Sequence, residues 1–206
     1  MFTGIVTAIG TITSTREGGD LRARISAPLD PARIEIGASI ACSGVCLTVV
    51  ERGGAKGDAW FDVDVSGETL SRTRPGMWQQ DSRINIEPSL RLGDELGGHI
   101  VTGHVDAIGE VIASEPVGDS WRLVIRAKAE MAPFIAEKGS ITLDGVSLTV
   151  NEVNDRSDGA CDFVLNIIPH TASVTTLGAL GEGDRVNLEI DVLARYLRRM
   201  QTLAAN

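Results

Sequence analysis

The chain contains one pattern twice, and this duplication constrains its fold more than any other feature. The segments that match, in order, are 2–12 (FTGIVTAIGTI) with 101–111 (VTGHVDAIGEV), 39–49 (SIACSGVCLTV) with 140–150 (SITLDGVSLTV), 68–73 (ETLSRT) with 170–175 (HTASVT), and 83–87 (RINIE) with 185–189 (RVNLE). The offset grows only from 99 to 102, as small loop insertions would produce. Four ordered blocks at nearly one offset indicate two copies of one domain.

The segment RLGDELGGH (91–99) separates the copies, because its glycines and charged residues suit a turn between modules. We therefore expect an N-terminal domain at 1–96, a C-terminal domain at 97–190 and a terminal segment at 191–206. In that segment, Asp191 is placed to cap a helix whose apolar residues follow at helical spacing, namely Leu193, Tyr196, Leu197 and Met200. Such a stripe needs a surface to cover it, and self-association is the simplest source.

Both halves show the pattern of an all-β fold. Six short runs per half are rich in Val, Ile and Thr, alternate with period two, and are separated by Gly, Asp or Ser. Six such strands are too many for a flat sheet with exposed edges, which predicts two similar six-stranded barrels in tandem plus a C-terminal α-helix. The segments 30–37 and 130–139 break the pattern and are predicted to be short helices or turns.

Composition excludes several classes of function. The net charge of −9 disfavours a nucleic acid partner, which normally meets a basic face. The cysteines, Cys42, Cys46 and Cys161, are odd in number, and no CxxC or HxxxH cluster completes a metal site. No secretion signal opens the sequence, and no stretch approaches the ~18 apolar residues of a membrane span. We expect a cytoplasmic protein with a small-molecule ligand.

Five motifs together resemble the riboflavin synthase family of the alpha-chain type, with its duplicated lumazine-binding barrels. They are MFTGIV (1–6), GVCLTV (44–49), GGHIVTGHVD (97–106), DGVSLTV (144–150) and IPHT (168–171). The resemblance implies Greek-key barrels and a homotrimer assembled by the C-terminal helix. It also implies dismutation of two 6,7-dimethyl-8-ribityllumazine molecules, in which a four-carbon unit is transferred to give riboflavin and 5-amino-6-ribitylaminouracil. No cofactor or metal takes part in the family, and the reaction site lies between the N-terminal barrel of one subunit and the C-terminal barrel of a neighbour.

Where the two copies agree, the residues build the barrel or hold what both substrates share. Gly44 and Gly145 are interpreted as turn residues rather than functional ones. Thr48 shares a strand face with Cys46, and Thr149 shares one with Ser147. Each pair is either a polar ladder on an exposed face or a ligand contact, and the resemblance favours the ligand. Cys46 itself is either a small buried hydrophobe or a ligand contact.

Where the copies differ, the roles of the two substrates can diverge. Ser43 stands against Asp144, Ile5 against His104 and Ser89 against Asp191, while His99 has no counterpart. His99 and His104 are five residues apart in an extended run and should point to opposite faces. By resemblance His99 belongs to the site, and His104 is structural or exposed. A histidine with a pKa near ~6.5 could remove the proton that the chemistry requires from a 7-methyl group.

The resemblance and the comparison of the copies yield one expected site. Proton transfers and polar contacts are assigned to His99, Cys46, Ser43, Ser147, Thr149 and Asp191. Substrate binding is assigned to Gly4, Ile5, Val6, Ser39, Cys46, Leu47, Thr48, Asp64, Val65, Ser66, Gly67, Glu68, Thr69, Gly98, His99, Ile100, Lys138, Ser147, Leu148, Thr149, Asn166, Ile167, Ile168, Pro169, His170 and Thr171. Lys138 contacts the substrate or is a solvated surface lysine.

Three residues depart from the family pattern. Ser43 stands where Asn is usual, Gly67 where Pro is common, and His170 where Glu is also found, so His170 receives no catalytic role. The alternative function is a non-catalytic, antenna-type protein that binds lumazine or flavin. Full GV(C/S)LTV motifs in both halves favour the enzyme. A flavin reductase-type barrel is poorly supported, because LGGH does not form GxGxxG after a strand.

Overall fold

The computed structural model describes residues 1–204 and consists mainly of β-strands. The first half contains β1 (Ala8–Gly18), β2 (Asp20–Ala27), β3 (Ser39–Cys42), β4 (Val45–Ala55), β5 (Asp58–Val65), helix α1 (Gly67–Arg72) and β6 (Arg83–Pro88). The second half contains β7 (Ala107–Val117), β8 (Ser120–Ala127), β9 (Ser140–Leu143), β10 (Val146–Thr149), β11 (Glu152–Asp155), β12 (Cys161–Ile167), helix α2 (Pro169–Val174) and β13 (Arg185–Ile190), followed by helix α3 (Val192–Ala204). Short 3₁₀ turns lie at Pro31–Arg33, Ala132–Phe134 and Thr176–Ala179.

The first half is a closed antiparallel barrel with the strand order β1-β2-β5-β4-β3-β6. Strand β6 closes it by pairing with β1, where Ala8 lies opposite Ile86. Alternate residues point inward, and the interior includes the fully buried Ile12, Ile25 and Phe61. Closure leaves no open edge, as the sequence pattern predicts.

The second half forms a seven-stranded sheet with the order β10-β9-β13-β7-β8-β12-β11. Its edge strands, β10 and β11, follow each other in the chain with only residues 150–151 between them, so the sheet curls round on itself. The sequence pattern predicts one strand here, but the backbone changes partners. The N–H of Val150 donates to Gly139 (2.9 Å), whereas that of Asn151 donates to Val164 (2.8 Å). The prediction of six strands is therefore met in the first half, and one predicted strand is divided in the second.

The same bend exists in the first half without dividing the strand. There β4 shifts register between Val49 and Glu51, so the chain bends through a β-bulge. The duplicated barrel fold is confirmed, and its two copies accommodate one bend differently.

The two halves meet through reciprocal contacts. The side-chain amide of Asn85 in β6 donates to the carbonyl of Asp144 (2.9 Å), and that of its counterpart Asn187 in β13 donates to the carbonyl of Ser43 (2.9 Å). Exchange of equivalent contacts is what an approximate two-fold axis between the copies produces. Both amides are buried, so these contacts also satisfy polar groups that water cannot reach.

Gly44 and Gly145 lie backbone to backbone at this axis. A Cβ built on Gly44 would lie 2.9 Å from the nitrogen of Gly145, and one built on Gly145 would lie 2.6 Å from the nitrogen of Gly44. Each follows a residue that also has a positive φ, namely Ser43 (44°) and Asp144 (45°). Two consecutive left-handed residues make the tight β3–β4 and β9–β10 hairpins. The interpretation of both glycines as turn residues is confirmed.

The connecting segments agree with their predictions. The segments 30–37 and 130–139 contain the first two 3₁₀ turns. Asp191 accepts a hydrogen bond from the N–H of Leu193 (2.9 Å) and so caps α3. The predicted terminal segment extends to residue 206, and its last two residues lie outside the described residues. Five large apolar side chains of α3 are more than half exposed, namely Leu193, Tyr196, Leu197, Met200 and Leu203.

Candidate functional site

The segments that precede β1 and β7 are exchanged between the halves. The first arm, residues 2–7, leads into the first barrel but lies on the second, where the carbonyl of Gly4 accepts from the N–H of Ser147 (2.8 Å). The second arm, residues 101–106, leads into the second barrel but lies on the first, where the carbonyl of Gly103 accepts from the N–H of Cys46 (2.8 Å). Part of the surface of each half is therefore formed by the arm that precedes the first strand of the other half.

The arms require glycine where they cross these strands. A Cβ built on Gly4 would lie 2.6 Å from the Cβ of Ser147, and one built on Gly103 would lie 2.6 Å from the Cβ of Cys46. Both glycines also have positive φ angles, 75° and 79°. Only a residue without a side chain permits this approach, which explains why Gly4 and Gly103 agree between the copies.

Two buried carboxylates hold the arms in place. Glu87 in β6 accepts hydrogen bonds from the N–H and hydroxyl of Thr3 (2.7 and 2.8 Å) and from the N–H of Gly4 (3.0 Å). Glu189 in β13 makes the equivalent contacts with the second arm, at Thr102, Gly103 and His104. Burial raises the pKa of both carboxyl groups, and the hydrogen bonds from the arms oppose that rise.

The first site is the cavity between β4, α1 and the second arm, with a volume of about 400 Å³. It is lined by Val45, Cys46, Glu68, Thr69, Arg72, Thr73, Gly103, His104, Val105 and Asp106. Among the predicted residues it brings together Cys46, Glu68 and Thr69. The thiol of Cys46 is half-buried at the edge of the core rather than deep within it.

His104 is exposed, as the sequence predicts, and it also lines this first site. The repeat contained the signal that would have found it. The offset of 99 maps residues 4–6 onto 103–105, and only 4–6 was assigned to the substrate. Gly103, His104 and Val105 are therefore candidate site residues that the sequence analysis missed.

The second site is the equivalent surface of the second half, formed by β10 and the first arm, and it also contains His99. The Nδ1 of His99 lies 2.7 Å from the hydroxyl oxygen of Ser147, and either atom can donate. The backbone N–H of His99 donates to the carbonyl of Thr3 (3.2 Å), which ties the histidine to the first arm. His99 and His104 thus belong to different sites, one on each half.

The environment of His99 favours its neutral form. Burial lowers the pKa of the imidazole below its ordinary 6.5, and the charge of Asp191 partly opposes this. The Nε2 atom is buried and has no hydrogen-bond partner among residues 1–204. When Nδ1 donates to Ser147, Nε2 keeps its lone pair, which is the form that accepts a proton. His99, Ser147 and Asp191 are thus brought together as the sequence analysis proposed.

The predicted strand faces agree with the pattern of burial. Cys46 is half-buried and Thr48 exposed, while Leu47 between them packs in the first core. Likewise Ser147 is half-buried and Thr149 exposed. Both pairs therefore face outward from their barrels, on the side that the arms cover.

Ser43 lies apart from these outward faces. It is completely buried in the turn at the two-fold axis, where its hydroxyl accepts from the N–H of Asn85 (3.0 Å). Its counterpart Asp144 accepts from the N–H of Asn187 in the same way (2.8 Å). Ser43 therefore joins β3 to β6, and we do not retain it in the proposed reaction site.

The predicted segments 64–69 and 166–171 occupy equivalent places at the ends of β5 and β12, where the chain enters α1 and α2. Ser66 caps α1 by accepting from the N–H of Thr69 (3.2 Å), and Pro169 begins α2. These short helices were not predicted. Asp64 forms a two-pronged ion pair with Arg22 (2.8 and 2.9 Å) on the barrel surface, so its carboxylate already has a partner.

The remaining predicted residues lie around the two sites. Ser39 pairs with Thr48 across β3 and β4. Gly98 lies beside Ser147, and a Cβ there would come within 2.9 Å of it, while Ile100 is partly exposed. Lys138 is exposed and has a φ of 62°, at the position where the first half has Gly37 with a φ of 85°.

Neither a metal cluster nor a membrane helix is found in the part of the chain that the structure describes. No three His, Cys, Asp or Glu side chains among residues 1–204 are grouped to hold a metal ion. Within the same residues, no helix has the length and apolar character that crossing a membrane requires.

Comparisons with known proteins agree with the duplicated architecture. The family model described as "Lumazine binding domain" matches residues 3–89 and again residues 102–191. Riboflavin synthase of Brucella abortus (strain 2308) is 49% identical over 204 residues, covering 97% of this chain and 98% of that protein. Riboflavin synthase of Mycobacterium bovis is 44% identical over 207 residues, covering 99% of this chain and 100% of that protein.

A solved structure is similar over nearly the whole chain. The crystal structure of LumP complexed with riboflavin superposes with a TM-score of 0.73 at 25% sequence identity, covering 92% of this chain and 99% of LumP. A second structure, of LumP complexed with 6,7-dimethyl-8-(1′-D-ribityl) lumazine, has a TM-score of 0.72 at 23% identity and supports the fold alone.

Proposed function

Because the chain belongs to the riboflavin synthase family, we propose that it converts two molecules of 6,7-dimethyl-8-ribityllumazine into riboflavin and 5-amino-6-ribitylaminouracil by transfer of a four-carbon unit. The observation that carries this proposal is the pair of equivalent sites. Each consists of the outward face of a strand, with Cys46 and Thr48 or Ser147 and Thr149, and a glycine-containing arm from the other half. A dismutation consumes two identical molecules, which two copies of one site are suited to bind.

The differences between the sites support opposite roles for the two molecules. The first site presents a thiol and His104, whereas the second presents a hydroxyl, His99 and Asp191. A site that holds a donor must remove a proton, and a site that holds an acceptor must present an electrophilic carbon. Identical sites would treat both molecules alike, so these differences are where the roles can separate.

For the proton transfer we assign His99. Its imidazole is neutral at pH 7 because burial lowers its pKa, and Ser147 orients the ring through Nδ1. A neutral imidazole with a free Nε2 can take the proton of a 7-methyl group and return it later in the cycle. The substrate ring stabilises the resulting anion, so orientation of two stacked rings supplies much of the remaining acceleration.

The other ligand contacts are assigned to groups that border the two sites. Thr48 and Thr149 present hydroxyls on the outward faces, and Lys138 presents a cation beside β10. Backbone groups of the arms and of the segments 64–69 and 166–171 can bind the polar edges of the ring and the ribityl hydroxyls.

We assign a homotrimer as the assembly in which the reaction takes place. The exposed apolar face of α3 is supporting evidence, since an amphipathic helix without a covered stripe favours association with further copies. In this arrangement the first site of one subunit faces the second site of a neighbour. The protein acts as a cytoplasmic transferase, and its domains are placed at 1–96, 97–190 and 191–206.

The assembly is tested separately from the chemistry by placing charge on α3. Leu197→Glu adds a carboxylate to the apolar stripe, and Arg198→Glu adds one beside it as the matched control. We expect sedimentation equilibrium to give three chains for the unmodified protein and a smaller species for Leu197→Glu alone. A monomeric unmodified protein contradicts the trimer.

The reaction is tested with the purified chain and the lumazine as its only organic substrate. We expect riboflavin to appear by its absorbance, with one riboflavin and one pyrimidine product for every two lumazine molecules consumed. The rival is a binding protein such as LumP, whose structure superposes on this chain. A protein that holds lumazine in a fixed stoichiometry and forms no riboflavin over many hours supports the rival and contradicts the enzyme.

A further inference from the structure

A second groove lies between the halves, next to the first site, since Thr73 lines the first site and Arg74 lines this groove. We call it the axial groove; it has a volume of about 400 Å³ and is lined by Arg74, Pro75, Arg83, Asp144, Thr176, Ala179, Leu180, Gly183, Asp184 and Arg185. This volume is within the range of pockets that hold small organic ligands. None of the residues assigned to the lumazine reaction lines it.

Two arginines in the axial groove are equivalent residues of the two copies. Arg83 begins β6 and Arg185 begins β13, at the offset of 102 that relates RINIE to RVNLE. Both are exposed, and neither makes an ion pair within 4.0 Å with any group of residues 1–204. Two unpaired guanidinium groups at one cavity are unusual in a chain with a net charge of −9, since acidic partners are abundant elsewhere.

A second equivalent pair contributes buried polar atoms without hydrogen-bond partners. Arg74 and Thr176 are also related by 102, and the backbone N–H of each is bound by an asparagine of the other half, at 2.7 Å from Asn187 and 2.8 Å from Asn85. The Nε of Arg74 and the hydroxyl of Thr176 are buried and make no hydrogen bond within the described residues. The Nε of Arg74 is nevertheless ion-paired with the carboxylate of Asp144 at 3.3 Å, so the hydroxyl of Thr176 is the group of this pair whose acceptor is missing.

The acidic residues of the groove are already engaged. Asp144 is buried, accepts from the N–H of Asn187 (2.8 Å), and lies 3.3 Å from the Nε of Arg74 without hydrogen-bond geometry. Asp184 accepts from the N–H of Gly181 (2.8 Å). With three arginines and two aspartates, the groove has a net positive charge even when both carboxyl groups are ionised.

We propose that the axial groove binds a phosphate group, carried either by the free anion or by a small phosphate monoester, with Arg83 and Arg185 as its main contacts. A tetrahedral oxyanion presents acceptors on several sides, so it can satisfy two arginines and a hydroxyl at once, which a carboxylate does less well. The bound anion would join equivalent strands of the two halves. Binding should therefore stabilise the fold, because only the folded chain assembles this site.

The proposal is tested by isothermal titration with inorganic phosphate at constant ionic strength, with chloride as the background anion. We expect saturable binding to the unmodified chain, and a loss of affinity of at least about tenfold in Arg83→Gln and in Arg185→Gln, the effect of one charge-assisted contact. Arg16→Gln removes the same charge from an exposed strand of the first barrel and should leave the affinity unchanged. Equal binding by all four proteins overturns the proposal.

A second variant protects the test against misfolding. Thr176→Val replaces a buried hydroxyl that has no partner, so it should preserve the fold while weakening phosphate binding. Glycerol phosphate and glycerol distinguish the source of the phosphate. If glycerol phosphate binds more tightly than inorganic phosphate, the ligand is a phosphate monoester, and if the two bind equally, it is the free anion. If neither inorganic phosphate nor glycerol phosphate binds, the proposed site is wrong. These readouts do not depend on riboflavin formation.

Discussion

The carboxylate of Glu189 accepts hydrogen bonds from both the N–H and the hydroxyl of Thr102, at 2.7 and 2.6 Å. It also accepts from the two following N–H groups, so one side chain of β13 fixes the position of the second arm where the arm crosses to the first barrel. Glu87 fixes the first arm in the same way. The ligand surfaces therefore depend on two carboxylates, and neither of them lines the cavity of the first site.

We expect Glu189→Gln to loosen the second arm, because an amide replaces two acceptors with one and turns a donor toward N–H groups. The free energy of unfolding should fall by about 1–3 kcal/mol, the cost of buried donors left unpaired. Hydrogen exchange should accelerate at residues 102–104 and remain slow in β4. Glu87→Gln should accelerate hydrogen exchange at residues 3–5. Glu17 is exposed, so Glu17→Gln should change neither the free energy of unfolding nor the exchange of either arm. Unchanged exchange at 102–104 in Glu189→Gln would show that the carboxylate does not hold the arm.

His99 should carry the pH dependence of the reaction. We expect His99→Ala to lower kcat by about 100-fold, the lower end of what a positioned base contributes, because the substrate ring already stabilises the anion. In the unmodified protein the rate should be constant near pH 7 and fall only below pH 6.5, since burial lowers the pKa of the imidazole and it must be neutral to act. Steady-state kinetics from pH 5 to 8 measure both effects.

The matched variants separate the two histidines. Ser147→Ala removes the group that orients His99 and should lower kcat less than His99→Ala does. The fall in rate at acidic pH, which we call the acidic limb, should not move to higher pH in this variant. His104→Ala should act mainly on KM, because His104 belongs to the other site. The assignment of the base is reversed if His104→Ala abolishes the acidic limb while His99→Ala retains it.

Lys138 has a left-handed backbone at a position where the other copy has glycine, so its side chain is present at a cost in backbone strain. Lys138→Gly should leave the free energy of unfolding unchanged or raise it by about 1 kcal/mol, because the strain of the left-handed residue is removed. Lumazine affinity should fall about tenfold, as for one hydrogen bond to a charged group. Fluorescence titration and chemical unfolding provide the two measurements.

The reciprocal change at Gly37 is the control for strain. Gly37 has a φ of 85° and open space around it, so Gly37→Lys introduces the left-handed strain without a clash. It should lower stability and leave ligand affinity unchanged. If Lys138→Gly retains full affinity, Lys138 is a surface lysine, the alternative that its sequence position left open.

Asp144 should make stability depend on pH in mildly acidic solution. Burial raises the pKa of its carboxyl group from 3.8 to about 6, and Arg74 opposes that rise. The native carboxyl group binds its proton more tightly than the unfolded one, so the free energy of unfolding should decrease from about pH 4 to about pH 6. The decrease should total about 3 kcal/mol, since one pKa unit corresponds to about 1.4 kcal/mol. Urea unfolding at several pH values should show this slope, and Asp144→Asn should reduce it.

Asp64 should affect the pH dependence of the free energy of unfolding in the opposite direction. Its ion pair with Arg22 lowers the pKa of its carboxyl group, so its stabilising contribution is present near neutral pH and is lost as the pH falls. Asp64→Asn should therefore remove a stabilising contribution at neutral pH rather than a destabilising one. Glu87 and Glu189 also have raised pKa values, so part of the slope between pH 4 and 6 should remain in Asp144→Asn, and an undiminished slope would contradict the assignment to Asp144.

The duplication and the strand periodicity predicted the barrels, and the helical spacing of apolar residues after Asp191 predicted the terminal helix, because these patterns are properties of the sequence alone. The strand periodicity also placed Thr48 and Thr149 on outward faces correctly. The division of β10 from β11 could not be predicted, since it depends on which neighbouring strand the N–H of Asn151 meets.

The site was harder to predict because its parts are exchanged between the halves. Ser43 has a polar side chain next to a family motif, yet the turn buries it at the axis. His104 follows a motif glycine, yet only the crossing of the second arm shows that it reaches the first site. Both placements depend on how the two copies pack against each other, which comparison of the copies as separate domains could not reveal.

The exchange of arms also determines when each site can be completed as the chain is made. The carbonyl of Gly4 bonds to the N–H of Ser147, so the first arm waits for a partner that is made more than a hundred residues later. The first barrel lacks its own cover until residues 101–106 emerge. Contacts of such long sequence separation form late and slowly. The strands of the first barrel can therefore assemble early, whereas neither ligand site exists until the second half has been synthesised.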